Sequence, residues 1–291
     1  MDILTSLIAN LLTQAAMVEA RDTWAGGHLW RISQYARRLA EDLALPPAQV
    51  ALITLGAAVH DLGKIGVAEA ILNKPGLLSD DEFDNVRAHP DAGLALLAGH
   101  PLGHLVRDAV LLHHETPDGT GYPRGVKGEA LPLTARVIGL VDAFDALTST
   151  RAYRRQLDLD AALQVLEDHF GSQFDADIGA RLVALARSGA LNDIIGHSEA
   201  GVAIQTCGQC GPIIALPHKT ISGTVVACPA CRTAYKVLGN ASDWHLRPLP
   251  LHISARPLSV DSDLIACMAR EIRQHLDESM LVASVANDCP Q

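Results

Sequence analysis

The chain has 291 residues, 48% of them apolar and 19% charged, with a formal net charge of −10. That balance is globular: it excludes a disordered, collagen-like or fibrous chain and leaves room for one medium domain plus a small one, or two modest domains. No run approaches 18 uninterrupted apolar residues, so no segment is expected to span a bilayer. The opening stretch MDILTSLIANLLTQAAMVEA lacks the basic start of a secretion signal, and a cytoplasmic protein is expected. The charge is unevenly divided, with 26 acidic against 16 basic residues over 1–200 and seven of each over 201–291. Phosphate-binding proteins draw on basic faces, so nucleic acid is disfavoured as a partner. All six Cys lie at or after position 207, and two composition regimes predict two modules.

Residues 1–20 read as an N-terminal amphipathic helix, with Leu4, Leu7, Ile8, Leu11, Leu12 and Ala15 on one stripe suited to core packing or a homodimer contact. From 28 to about 187 the apolar spacing stays helical, through stretches such as 50–61, 80–97, 102–114, 133–147 and 159–170. The breaks carry turn chemistry: LPP at 45–47, KPG at 74–76, HP at 89–90 and PDGTGYPRGVKG at 117–128. The fold class is therefore all-α, a helical bundle over 21–190. Residues 200–240 set β-branched residues among turn residues around Cys pairs and suit a small β-module. Residues 241–291 read as a linker and C-terminal helix, with Leu264, Met268, Ile272 and Leu276 four apart.

The bundle segment concentrates its chemistry in His28, the pair His60-Asp61, His89, the pair His113-His114, and Asp142. These are five imidazoles and two carboxylates on five helices, and facing helices of a bundle are a common place for metals. Nitrogen and oxygen donors together suit Fe, Mn or Zn better than Ca or Mg. Seven donors exceed one tetrahedral ion and fit two, with Asp61 between them. Spacing alone leaves ordinary core histidines open as the other reading.

The series HDLGKIG (60–66), ILNKPG (71–76), HPDAG (89–93), HHETPDGTGYP (113–123) and VDAFDALTSTRAYR (141–154) resembles, in unbroken order, the HD-GYP family of bacterial cyclic di-GMP phosphodiesterases. The resemblance covers roughly 20–185 and implies an HD-type bundle. It implies metal ligands at His28 (in an HxxR element with Arg31), His60, His89, His113, His114 and Asp142, with Asp61 bridging two Fe or Mn ions. Lys64 would hold a phosphate oxygen, and Asp145 would orient the attacking hydroxide or Lys64. Asp22, Gly121, Tyr122, Pro123, Arg151 and Arg154 would meet the substrate, the Tyr122 ring offering a face for a guanine.

The implied reaction is in-line attack by a metal-activated hydroxide that opens cyclic di-GMP to linear pGpG, with further cleavage to GMP left open. Departures exist. RDTWAGGH stands where the family has DPYTGGH, and Trp24 occupies a position where some members carry a third-metal Glu, so two ions are expected. RAYR replaces RPYK, Ala68 a frequent Pro and Thr120 the usual Ser. The rival readings are a phosphohydrolase for another cyclic nucleotide, and a cyclic di-GMP sensor or scaffold.

Cys207, Cys210, Cys228 and Cys231 give C-x2-C-x17-C-x2-C, the spacing of one structural zinc in a ribbon-like module. Cys267 and Cys289 have no partner pattern, and His218, His245 and His252 are read as structural. Lys219, Arg232 and Lys236 make 201–240 locally basic. Docking of a protein partner, through this module or the Gly-rich loop, is favoured over nucleic acid.

Overall fold

The computed structural model describes residues 2–150, 155–240, 243–253 and 260–280. Helix α1 (Ile3–Glu19) is capped by Asp2, whose carboxylate accepts from the Thr5 amide at 2.8 Å. It is followed by α2 (His28–Asp42) and by α3 (Pro47–Val59), which starts on a proline where no amide is needed. A 3-10 turn (Leu62–Gly66), α4 (Glu69–Leu72), α5 (Asp80–Arg87), α6 (His89–Leu97) and α7 (Gly103–Leu112) complete the first half. Ser79 and Glu82 form a capping box on α5. The helical pattern over 80–97 is broken at Ala88, where Pro90 opens a new helix with His89 at its first position. After a 3-10 turn (Gly128–Ala130) come α8 (Leu133–Thr148), α9 (Leu159–Glu167) and α10 (Ala176–Arg187), the last two capped by Asp158 and Asp175.

The β-module holds β1 (His197–Glu199), β2 (Val202–Ala203), β3 (Gln205–Thr206), β4 (Ile213–Ile214), β5 (Val225–Ala227), β6 (Thr233–Asn240) and β7 (Asp243–His252), and α11 (Ser262–Arg273) follows. The described strands of this module pair antiparallel: β1 with β2, β3 with β4, and a sheet ordered β5-β6-β7. Strand β7 comes from the stretch read as linker; its alternation of Trp244, Leu246 and Pro248 with polar residues is diluted by two prolines.

One apolar core runs from α1 through the bundle to α11, with Leu4, Ile8, Leu11, Leu12, Tyr35 and Phe144 fully buried. The α1 stripe thus faces the chain's own core. Helix α11 covers it, and its burial answers the choice between core packing and a dimer contact in favour of the core. The β-module has a separate small core of Val202, Ile214, Leu216, Tyr235 and Val237 with Cys207 and Cys228. Among the described residues, no helix is long and apolar enough to cross a membrane.

Candidate metal centres

Helix ends deliver the ligands of the bundle. His28 opens α2, His60 closes α3, Asp61 begins the 3-10 turn, His89 opens α6, His113 closes α7 with His114 next, and Asp142 projects from the middle of α8. Gly63 lets the first of these turns meet α6. A Cβ there would lie 1.8 Å from the His89 carbonyl oxygen, so only glycine admits the approach that sets His89 beside Asp61.

The seven donors form two clusters sharing one carboxylate. His28, His60 and Asp142 make the first: Asp142 Oδ1 lies 3.6 Å from His28 Nε2 and 3.9 Å from His60 Nε2. His89, His113 and His114 make the second, their donor atoms within 4.8 Å of one another. Asp61 stands between. Its Oδ2 is 3.3 Å from His60 Nε2 and 3.9 Å from His28 Nε2, while Oδ1 is 3.4 Å from His89 Nε2 and 3.9 Å from His113 Nε2.

The residues present fit a pair of cations. His60, His89 and His113 each donate Nδ1–H to a backbone carbonyl (Ala57, 2.7 Å; Val86, 2.7 Å; Ala109, 3.0 Å), which leaves bare Nε2 lone pairs pointing inward. With those tautomers, His89 Nε2 and His113 Nε2 oppose each other at 3.1 Å as two acceptors, a repulsive contact that a cation relieves. Among the described residues, His60 Nε2 and Asp61 Oδ1 are buried without a well-formed hydrogen bond. Burial lowers the His89 pKa to about 4 and that of His114 to about 3, keeping both imidazoles in the neutral, ligating form at pH 7. Burial opposes ionisation of Asp61, but His60 and Lys64 outweigh it and hold the carboxyl well below its usual range.

Lys64 Nζ lies 2.5 Å from Asp61 Oδ2, with its side chain 28% exposed, at the open side of the centre. Asp22 accepts from the Trp24 amide at 2.8 Å and shares with His28, His60, Asp61 and Lys64 the wall of a cavity of about 40 Å³, room for ions and waters.

Asp145, expected at the hydroxide or at Lys64, has another task. It is fully buried; its Oδ1 accepts from Arg31 Nε at 2.5 Å and its Oδ2 bonds His28 Nδ1 at 2.8 Å, while Lys64 pairs with Asp61. It fixes the His28 ring, and Arg31 balances its charge, a carboxylate–histidine arrangement of the kind that orients metal-binding imidazoles. Burial opposes the ionisation of Asp145, and the Arg31 charge with the His28 hydrogen bond reverses that, keeping it a carboxylate.

Other supports carry no local sequence signal. Glu19 accepts from the Gly27 and Leu29 amides (2.9 and 2.5 Å) and so fixes the start of α2. Arg21 donates to the carbonyls of Lys64, Ile65 and Val67 (3.1, 2.8 and 2.8 Å), clamping the turn after Asp61.

In the Gly-rich loop, the buried Glu115 accepts from the amides of Arg124, Gly125 and Val126 (2.5, 3.1 and 3.0 Å) and gathers the loop against α7. Gly121 is required for close approach: a Cβ there would lie 2.4 Å from the His114 carbonyl oxygen. Tyr122 stacks on His114 (4.7 Å between centroids, 24° interplanar) with the Arg87 guanidinium 4.8 Å from its ring centre, so protein groups already engage the expected guanine platform. Pro123 follows through a cis peptide bond. Arg151 and Arg154 lie outside the described residues.

The four module cysteines converge as their spacing predicts. Cys207 Sγ is 3.6 Å from both Cys210 and Cys231, and Cys210 Sγ is 3.5 Å from Cys228. A tetrahedron with ~2.3 Å metal–sulfur bonds has edges of about 3.8 Å, whereas a disulfide needs ~2.05 Å. The donor set fits zinc with no open position.

A helical bundle whose facing helices aim imidazoles and carboxylates at two adjacent points, one carboxylate shared, is the kind of site in which bundles hold metal ions. The chain belongs to the HD domain family, which matches it over residues 13–178. The resemblance read from its motifs is borne out by curated relatives. A cyclic di-GMP phosphodiesterase of Vibrio cholerae is 35% identical over 200 residues (63% of this chain, 40% of that protein). The cyclic di-GMP phosphodiesterase response regulator RpfG of Xanthomonas campestris is 41% identical over 163 residues (55% of this chain, 43% of that protein). The 3′3′-cGAMP-specific phosphodiesterase 3 of Vibrio cholerae is 38% identical over 167 residues (57% of this chain, 36% of that protein). The chain thus spans well under half the length of these relatives.

Proposed function

We propose that this chain is a metal-dependent phosphodiesterase that opens cyclic di-GMP to the linear dinucleotide pGpG and then GMP. The observation that carries the reading is Asp61, whose two carboxylate oxygens face two separate ligand clusters while Lys64 grips it from the open side. His28, His60 and Asp142 would hold one ion, His89, His113 and His114 the other, and Asp61 both. Bound there, the ions supply an activated water and neutralise charge on the phosphate. Fe or Mn suits these mixed nitrogen and oxygen donors, and zinc the four cysteines.

The chain's own groups do the rest. Lys64 presents its ammonium to a phosphate oxygen and stabilises the charge that builds as the phosphorus–oxygen bond breaks. Asp145 and Arg31 fix the His28 ring, so its donor atom needs no reorganisation on loading. Glu115 holds the loop that brings Tyr122 to His114. The domain limits 21–190 and 200–240 and a cytoplasmic setting belong to the same proposal, as does substrate contact by Asp22, Gly121, Tyr122, Pro123, Arg151 and Arg154.

A second substrate, 3′3′-cGAMP, has specific support: a relative named for it is 38% identical, close to those named for cyclic di-GMP. Incubating anaerobically purified, Mn- or Fe(II)-loaded protein with each dinucleotide, beside Asp61→Ala, tests the reading. Linear dinucleotide in the wild type alone is expected. Binding without turnover in the wild type would replace the enzyme by a sensor.

A further inference from the structure

The ribbon's first cysteine knuckle sits on the loop that leads into His28. Gly26 faces Ile213: a Cβ added to Gly26 would lie 2.8 Å from Ile213 Cγ2. Gly27, at φ +76°, faces Ser198, whose Cα would be 2.6 Å from a Cβ there. Trp24 lies against Gly211, directly after Cys210, its Cη2 3.2 Å from the Cβ position of that glycine. Ser198 and Ile213 are both buried.

Polar contacts run along the same path. Arg31 Nη1 donates to the Gly26 carbonyl and to the His197 carbonyl of β1, each at 3.1 Å, while the same guanidinium holds Asp145, which holds His28 Nδ1 at 2.8 Å. Strand β1 pairs with β2, and the chain then runs through β3 directly into Cys207. Zinc and His28 are thus joined by consecutive contacts: knuckle to Trp24 and Gly26, β1 to Arg31, and Arg31 through Asp145 to the imidazole.

The geometry points to a brace. We infer that the zinc-closed ribbon is part of the machinery that positions His28, so zinc binding by the four cysteines and ion binding at His28, His60 and Asp142 favour each other. The ribbon's own core is small, and its knuckle keeps its shape only while four thiolates share an ion. When the knuckle opens, Ile213, Gly211 and His197 leave the 24–31 segment, Arg31 loses a carbonyl partner, and the His28 ring loses its fixed aim. By linkage the coupling is reciprocal: loading the bundle tightens the ribbon's hold on zinc by the same factor. His89, His113 and His114 make none of these contacts, so the coupling would reach an ion held there only through the shared Asp61. Trp24 also acquires a reason, since it occupies the knuckle contact. The inference rests on the two-ion reading of the bundle and not on the identity of the substrate.

The full chain is tested in three forms: wild type, Cys228→Ser/Cys231→Ser, and Trp24→Ala, which keeps all four cysteines. Each is titrated with Mn(II), zinc is counted separately, and electron paramagnetic resonance reports whether two manganese ions are exchange-coupled. The wild type should hold one zinc and two coupled manganese ions. The double Cys variant should lose the zinc, bind its second manganese roughly tenfold more weakly or not at all, and lose the coupled signal at stoichiometric metal. Trp24→Ala should keep its zinc and still weaken the second manganese, which separates bracing from ribbon unfolding. If both variants bind two coupled ions with wild-type affinity, the brace is overturned and the bundle centre stands. A wild type that takes up fewer than two manganese ions overturns the centre and the brace together.

Discussion

The donor atoms of the bundle centre come from five helices spread over residues 28–142, whereas the ribbon's four thiolates come from two four-residue turns, 207–210 and 228–231. The bundle aims its ligands from within a continuous apolar core, and it leaves an open side at Lys64. The ribbon has a handful of apolar residues, and its shell is closed by sulfur on every corner. Metal bound in the ribbon would therefore be folding free energy, and metal bound in the bundle would, on the proposed reading, be chemistry applied to a core built from apolar contacts. A centre that must react is built on rigid elements distant in sequence, so that its geometry survives the comings and goings of substrate.

The largest expected effect breaks the ribbon and spares the bundle. Cys228→Ser removes one of four thiolates from a shell whose zinc contributes on the order of 10 kcal/mol to folding. Hydrogen exchange should show protection lost over β5, β6 and β7 while the bundle core stays protected. The opposite change, Asp61→Ala, should leave the fold in place and lower phosphodiesterase turnover by roughly a thousandfold or more, with metal analysis finding fewer than two bundle ions.

Asp145→Ala leaves Arg31 buried without its carboxylate. It should cost about 3–5 kcal/mol in denaturant unfolding, and roughly tenfold in metal affinity, with the ribbon's zinc content unchanged. Lys64→Met should keep both ions by elemental analysis and lower kcat by roughly a hundredfold, separating charge stabilisation from metal retention. The smallest effect belongs to Arg124→Ala. Its pair with Asp91 is solvent-exposed, so thermal unfolding should be left nearly unchanged, because Glu115 and not that ion pair gathers the loop.

The bundle ligands other than Asp142 were legible because each sits at a helix end or beside a Gly or Pro break, where spacing marks both the element and the residue, while Asp142, in the middle of α8, was marked by its motif. The Cys pairs were legible because a tight turn fixes donor spacing locally. Asp145 was placed on the correct helix and given the wrong partner: three residues from Asp142, it points to Arg31, 114 positions away. Glu19, Arg21 and Glu115 went unread for the same reason, since each acts through backbone amides or carbonyls, which leave no mark in side-chain patterns. Strand β7 was hidden by Pro248 and Pro250, tolerated because this strand lies at the edge of its sheet.

By itself the amino-acid sequence determined the two regimes of the chain, the helical period of one and the cysteine spacing of the other, and the identities of the eleven side chains that can bind metal. Those features depend on neighbours a few positions away, and local geometry is enough to state them. The tertiary structure alone decided that Asp61 faces two clusters at once, that Arg31 neutralises Asp145, and that the cysteine knuckle rests on the loop before His28. A carboxylate's role follows from which cation or imidazole stands about 3 Å away, and that is set by the packing of segments far apart in the chain.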